Sequence, residues 1–96
     1  MTLTELRKQW REEILRLARL HGARNVRVFG SVVRGEATSA SDLDLLVDME
    51  RGRSLLDLVG FCQDMEDMLG ISVDTVTEDG ISPYLREDIL KQAVPL

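Results

Sequence analysis

Two acidic side chains, Asp42 and Asp44, have the type and spacing expected of a metal site. They lie two positions apart at the start of Leu43–Asp48, a segment predicted to be a β-strand. Because alternate residues of a strand project from the same face, both carboxylates lie on one face, with their Cα atoms about 6.5–7 Å apart. Paired carboxylates are suitable ligands for a hard divalent cation such as Mg²⁺, which keeps coordination positions open for phosphates.

A third acid, Asp74, lies in the middle of another predicted strand, Ile71–Val76. If the two strands are neighbours, they lie about 4.8 Å apart, and Asp74 joins Asp42 and Asp44. Each acid alone is compatible with a solvated strand. Three acids without a basic partner, however, repel one another strongly unless a metal ion occupies the centre. The three residues together therefore predict a metal site.

Gly30 and Ser31 have the features of a phosphate-binding turn. They follow a predicted strand, Val26–Phe29, and precede a short helical turn that Ser31 is predicted to cap. Glycine lets a backbone approach a phosphate closely, and a helix N-terminus offers free N–H groups. The Ser31 hydroxyl adds one donor. To bring this turn beside Asp42, the first and second strands must pair antiparallel.

Hydrophobic periodicity places helices around these strands. The first helix begins at the capping box Thr2–Glu5 and stops at Gly22, and the third runs from Ser54 to Gly70. The last helix begins at Ser82-Pro83, since proline fits the first helical position. The apolar residues share one face of the first helix (Leu6, Trp10, Ile14, Leu17 and Leu20) and form an apolar stripe on the last (Leu85, Ile89, Leu90 and Ala93). In the third helix the predicted inward residues are Leu55, Leu58, Val59, Cys62, Met65 and Leu69.

The resulting order, α-β-α-β-α-β-α, predicts an α/β fold with a three-stranded mixed sheet packed with helices (α+β in some schemes). The crossover of roughly twenty residues between the second and third strands makes them parallel neighbours. A chain of 96 residues supports one modest core, so we expect a single domain over residues 1–96.

The composition limits the classes of partner. There are 17 Asp and Glu against 12 Lys and Arg, for a net charge of −5, whereas nucleic-acid phosphates attract basic surfaces. Direct nucleic-acid binding is therefore not expected. The single cysteine, Cys62, excludes an internal disulfide, and no segment approaches the roughly 20 apolar residues of a membrane span. We expect a cytoplasmic protein without membrane association.

Three further polar residues carry weaker expectations. Arg34 follows Ser31 by three positions, and it could either neutralise phosphate charge or pair with Glu36. The sequence leaves both interpretations open. Asp48 is expected to be solvated, and His21 is expected at a helix C-terminus, where a cation is mildly favoured.

The motif Gly30-Ser31, followed after ten residues by Asp42-Leu43-Asp44, resembles that of the minimal nucleotidyltransferases in the DNA polymerase β-like superfamily. Arg34-Gly35 between the two parts belongs to the same pattern. The resemblance extends from the first helix to Leu90–Val94 and covers nearly the whole chain. It implies the polymerase β-like nucleotidyltransferase fold.

The resemblance also implies a role for each motif residue. Gly30 and Ser31 would hold the triphosphate of ATP, and Asp42 and Asp44 would ligate two Mg²⁺ ions. Asp74 would ligate one of these ions and activate the acceptor hydroxyl as a base. The reaction would be an in-line displacement at the α-phosphate, with pyrophosphate leaving.

Members of this family typically serve as antitoxins in prokaryotic pairs whose toxin is a HEPN-domain ribonuclease. The resemblance thus implies transfer of AMP from ATP to a tyrosine of that toxin, and oligomers that form through the complex with it. Two alternatives stay open. One is a non-catalytic antitoxin that covers the toxin active site. The other is an adenylyltransferase acting on an antibiotic such as an aminoglycoside, for whose pocket 96 residues provide little material.

Overall fold

The computed structural model describes all 96 residues, Met1–Leu96. Its elements are α1 (Leu3–Leu20), β1 (Ala23–Phe29), α2 (Ser31–Arg34), β2 (Leu43–Met49), α3 (Leu55–Leu69), β3 (Val73–Val76), a 3-10 helix (Glu78–Gly80), α4 (Pro83–Gln92) and β4 (Val94–Pro95). The predicted order of helices and strands is confirmed up to α4. None of the helices combines the length and the apolar character needed to cross a membrane.

The sheet is mixed and has four strands in the order β3-β2-β1-β4. As predicted, β1 pairs antiparallel with β2, and β2 pairs parallel with β3. The predicted number of three strands was wrong, because β4 adds to β1 through Val94 and Pro95. A two-residue strand is too short for an alternation pattern, and its proline is tolerated because β4 is an edge strand.

A bulge in β1 adjusts which residues face the core. The pairing with β2 shifts register between Arg24 and Arg27, and Asn25 adopts a φ of 51°, a left-handed conformation that asparagine tolerates. Ala23 and Val26 are three positions apart, so regular alternation would put them on opposite faces. With the extra residue both are buried, at 2% and 5% exposure.

Helices α1 and α3 cover one face of the sheet and form the core with it. The inward stripe of α3 contains the predicted Leu58 and Met65, but it also contains Phe61, which was not predicted, and it is rotated toward that residue. Leu55 and Val59 are consequently 74% and 43% exposed, contrary to the sequence prediction. The largest fully buried side chains of this core are Leu6, Ile14, Val28, Leu43, Leu45, Val47, Phe61 and Met65.

Helix α4 contributes no buried residue, so its predicted apolar stripe is not part of the core. Leu85 and Leu90 are 55% and 38% exposed. The helix is instead attached at its two ends. Arg86 forms an ion pair of 3.4 Å with Glu78 near its start, and β4 follows directly after its last turn.

Strand β3 forms the other edge of the sheet, and side chains of α3 cover its backbone at Val73. The Val73 N–H donates to Glu66 Oε2 at 3.0 Å, and the Cys62 thiol donates to the Val73 carbonyl oxygen at 3.0 Å. Burial raises the pKa of the Cys62 thiol, which keeps the proton in place for this bond. Cys62 therefore has a structural role.

Candidate active site

The acidic residues face away from α1 and α3. Alternation along β2 turns Leu43, Leu45 and Val47, all fully buried, toward those helices. Asp44 and, one residue before the strand, Asp42 therefore project from the opposite face. This is the arrangement that the spacing of the two acids predicts.

The register of the sheet then aligns residues from three strands. Asp44 of β2 lies directly beside Asp74 of β3, and on its other side it lies beside Phe29 of β1. Gly30 follows Phe29 immediately. Parallel pairing of β2 with β3 and antiparallel pairing of β1 with β2 thus bring the glycine turn and two of the acids into one row.

Gly30 lies against the Asp44 carboxylate, and only glycine fits this position. Its φ of 79° and ψ of −149° fall in a region that residues with a Cβ avoid. A methyl group built on Gly30 would also overlap the carboxylate of Asp44. The Gly30 carbonyl accepts from the Arg34 N–H at 3.1 Å, so Gly30 is the N-cap of α2. The prediction that Ser31 caps this helix was wrong, since Ser31 is its first residue.

The acids produce a concentration of negative charge. The pKa of Asp44 is raised, chiefly by its burial and then by the charges of Asp74 and Asp42, while Arg34 lowers it. None of the three acids takes part in an ion pair. An oxygen-only set of ligands with uncompensated charge fits a hard divalent cation such as Mg²⁺.

The three carboxylates do not converge on a single point. The structure contains no group of three or more His, Cys, Asp or Glu side chains arranged to enclose an ion. The backbone register of Asp44 and Asp74 is set by the sheet, so rotation of side chains is the movement that would bring the three carboxylates onto one ion.

Arg34 pairs with Glu36, which is one of the two interpretations that the sequence left open. Its Nε donates to Glu36 Oε2 at 3.1 Å, while its charge also acts on Asp44. A second Arg34 nitrogen, Nη1, donates to Gln92 Oε1 at 3.0 Å, and the Gly30 N–H donates to the same oxygen at 3.3 Å. No sequence pattern marks Gln92, because it reaches the turn from 62 residues away.

Two other predicted polar residues lie apart from this row. Asp48 is exposed, as expected, and it also accepts from Arg27 at 3.0 Å and from Asn25 at 3.1 Å. His21 lies at the end of α1, and its Nε2 is 2.6 Å from Asp64 Oδ2 on α3. That contact is on the helical side of the sheet.

A model of the nucleotidyltransferase domain family matches residues 6–96, and the chain belongs to this family. A solved structure described as "Structure of putative minimal nucleotidyltransferase" is 53% identical and superposes with a TM-score of 0.85 over 100% of this chain and 97% of that one. The predicted membership in the minimal nucleotidyltransferases is thereby confirmed, together with the fold and the enzymatic class.

Curated relatives have similar length and sequence. The chain is 37% identical over 94 residues to "Putative protein adenylyltransferase MJ0435" of Methanocaldococcus jannaschii, covering 98% of this chain and 97% of the relative. It is 37% identical over 92 residues to "Protein adenylyltransferase MntA" of Thermococcus cleftensis, covering 96% and 86%. A crystal structure of a toxin–antitoxin with AMP-PNP has the same fold at 22% identity, with a TM-score of 0.74 over 88% of this chain and 69% of that one.

Proposed function

We propose that this nucleotidyltransferase is a Mg²⁺-dependent protein adenylyltransferase, with residues 1–96 as its single catalytic domain. It transfers AMP from ATP to a hydroxyl of a partner toxin and thereby acts as the antitoxin. The observation that carries the proposal is that Asp44 and Asp74 lie side by side on neighbouring strands, with Gly30, at the end of β1, against the Asp44 carboxylate. Two relatives at 37% identity bear the name protein adenylyltransferase, which supports a protein acceptor.

In this proposal each motif residue has a defined task, and Asp74 has two. The Gly30 N–H, the Ser31 hydroxyl and the Arg34 guanidinium bind the triphosphate, while Asp42, Asp44 and Asp74 would hold the metal. When bound, two Mg²⁺ ions would stabilise the attacking and leaving oxygens of an in-line displacement. Asp74 accepts the proton of the acceptor hydroxyl, whose oxygen bonds to the α-phosphorus as the bond to pyrophosphate breaks.

The surface beside Asp74 favours an aromatic hydroxyl as acceptor. A cavity of about 350 Å³ borders Asp74 and Thr75, and its apolar lining comes from α3, where Leu55, Leu58 and Val59 contribute. A tyrosine ring would bury apolar area there while its hydroxyl reaches Asp74. The apolar part of this lining supports a tyrosine of a HEPN-domain toxin as the acceptor.

The test is transfer of label from ATP carrying ³²P at the α-phosphate. The protein is incubated with Mg²⁺ and the product of its neighbouring gene, with and without EDTA. We expect a labelled partner band that disappears with EDTA and in the double variant Asp42→Asn, Asp44→Asn. The double variant Asp67→Asn, Asp88→Asn makes the same charge change at exposed positions outside the row and should retain labelling. An unlabelled partner in a tight complex would overturn the proposal.

One observation favours a second candidate, an antitoxin that acts by binding alone. The three carboxylates do not enclose an ion, and Gln92 already occupies the Gly30 and Arg34 donors. If the double variant Asp42→Asn, Asp44→Asn still protects cells from the toxin, neutralisation by binding is correct. Lost protection with an intact complex would favour catalysis.

A further inference from the structure

Gln92 forms a contact at the proposed phosphate turn that none of the assigned roles requires. Its side-chain oxygen accepts from the Gly30 N–H at 3.3 Å and from Arg34 Nη1 at 3.0 Å. A backbone N–H and a guanidinium converging on one oxygen are the pair of donors that a phosphate oxygen takes from a protein. These are also two of the three donors assigned above to the triphosphate.

The position of Gln92 is fixed by the strand that follows it. Val94 pairs with Val28, and the Leu96 N–H donates to the Val26 carbonyl at 3.0 Å. Leu96 is itself only 6% exposed. The backbone of Gln92 is therefore held next to the end of β1, whereas its side chain is only half-buried and can rotate away.

Each of these N–H groups can make one strong hydrogen bond at a time. A phosphate oxygen that takes the Gly30 N–H must therefore displace the Gln92 oxygen, because both groups are acceptors. We propose that Gln92 is a gating residue: its amide oxygen stands in for a phosphate oxygen and competes with the β- and γ-phosphates of the nucleotide. This inference rests on the proposed function, since it concerns affinity for the same triphosphate.

Two substitutions at Gln92 should have opposite effects. Gln92→Leu keeps the approximate size of the side chain but removes the acceptor, so the nucleotide no longer has to break these bonds. Because one such hydrogen bond contributes about 1 kcal/mol, we expect about fivefold tighter binding. Gln92→Glu places a carboxylate on the same donors, which strengthens the competing bonds and repels phosphate. We expect binding roughly tenfold weaker, or weaker still.

The experiment is calorimetric titration of the full chain with AMP-PNP and with AMP, both in Mg²⁺, which separates binding from turnover. Thermal unfolding of each variant shows that it is folded. Gln9→Leu on exposed α1 is the matched control and should bind like the wild type. The effects at Gln92 should appear with AMP-PNP and be much smaller with AMP, which lacks the β- and γ-phosphates. If Gln92 had a purely structural role, its substitution would change the affinity for AMP-PNP and the affinity for AMP by the same factor.

The outcomes separate the gate from the function on which it rests. Tighter binding of AMP-PNP by Gln92→Leu than by the wild type supports the gate. The gate is also supported if Gln92→Leu binds AMP-PNP and the wild type does not. If the wild type binds AMP-PNP and Gln92→Leu binds equally or more weakly, the gate is overturned and the nucleotide site stands. Weaker binding by Gln92→Leu would mean that the side-chain amide of Gln92 donates a hydrogen bond to the phosphate in the wild type. If neither protein binds nucleotide, both the proposed function and the gate are overturned.

Discussion

Replacing Gly30 with alanine should destabilise the protein for two separable reasons. The backbone at Gly30, with φ of 79° and ψ of −149°, lies in a region that costs a residue with a Cβ about 1–3 kcal/mol. The added methyl group would also overlap the Asp44 carboxylate, which has to move. We expect a loss of about 3 kcal/mol or more, which for a domain of this size lowers Tm by roughly 12–24 °C.

Gly35→Ala is the control for a positive φ without a steric contact, with a ψ of 21° in place of the −149° of Gly30. Gly35 also has a positive φ, 73°, but a methyl group there meets no atom within 4 Å. It should cost only about 1–2 kcal/mol, because left-handed strain is the sole effect. The two variants are compared with the wild type by urea and thermal unfolding.

A double-mutant cycle isolates the close contact. In the Asp44→Ala background the carboxylate is gone, so Gly30→Ala should cost at least about 1 kcal/mol less than in the wild type. Equal costs for Gly30→Ala and Gly35→Ala, with no reduction in the Asp44→Ala background, would refute the contact between Gly30 and Asp44.

Three further variants test the electrostatics, the core and a helix cap. The pKa of Asp44 is raised in the folded state, so its ionisation removes stability as the pH rises above 3.8, the ordinary value of the carboxyl. Asp44→Asn should therefore unfold at higher urea than the wild type at pH 7 and lose this advantage near pH 3; no difference at pH 7 would contradict the burial argument. Phe61→Ala empties a fully buried site and should cost about 3–5 kcal/mol in urea unfolding, whereas Val59→Ala, at a half-exposed position, should change stability far less. The Ser54 hydroxyl caps α3 by accepting from the Leu56 N–H at 3.2 Å, so Ser54→Ala should lose about 1 kcal/mol, and an unchanged Tm would show that the cap contributes nothing.

The sequence predicted those helices and strands whose apolar residues recur at a regular spacing and whose ends are marked by capping residues or glycines. The capping residue Ser54 and the stop at Gly70 fix α3 correctly. The rotation of α3 around its axis was not predictable in this way, since Leu55 and Phe61 are both apolar and only tertiary packing distinguishes them. For the same reason α4 has an apolar side without a buried residue.

The site was predictable to the extent that strand alternation and pairing determine it. The spacing of Asp42 and Asp44 gives a shared face, and the crossover helix gives the parallel partner that carries Asp74. Gln92 was not predictable, because its contact with Gly30 depends on β4, whose two residues have no pattern of their own.

The side chains of α3 that cover Val73 also affect whether strands of other molecules can pair with the edge of this sheet. Asp74 lies on an edge strand, and an uncovered edge is a template for strands from other molecules. At Val73 both backbone groups that such a strand would need are taken by Glu66 and Cys62. Beside Asp74, the edge therefore offers no free backbone group at Val73 to a strand of another molecule.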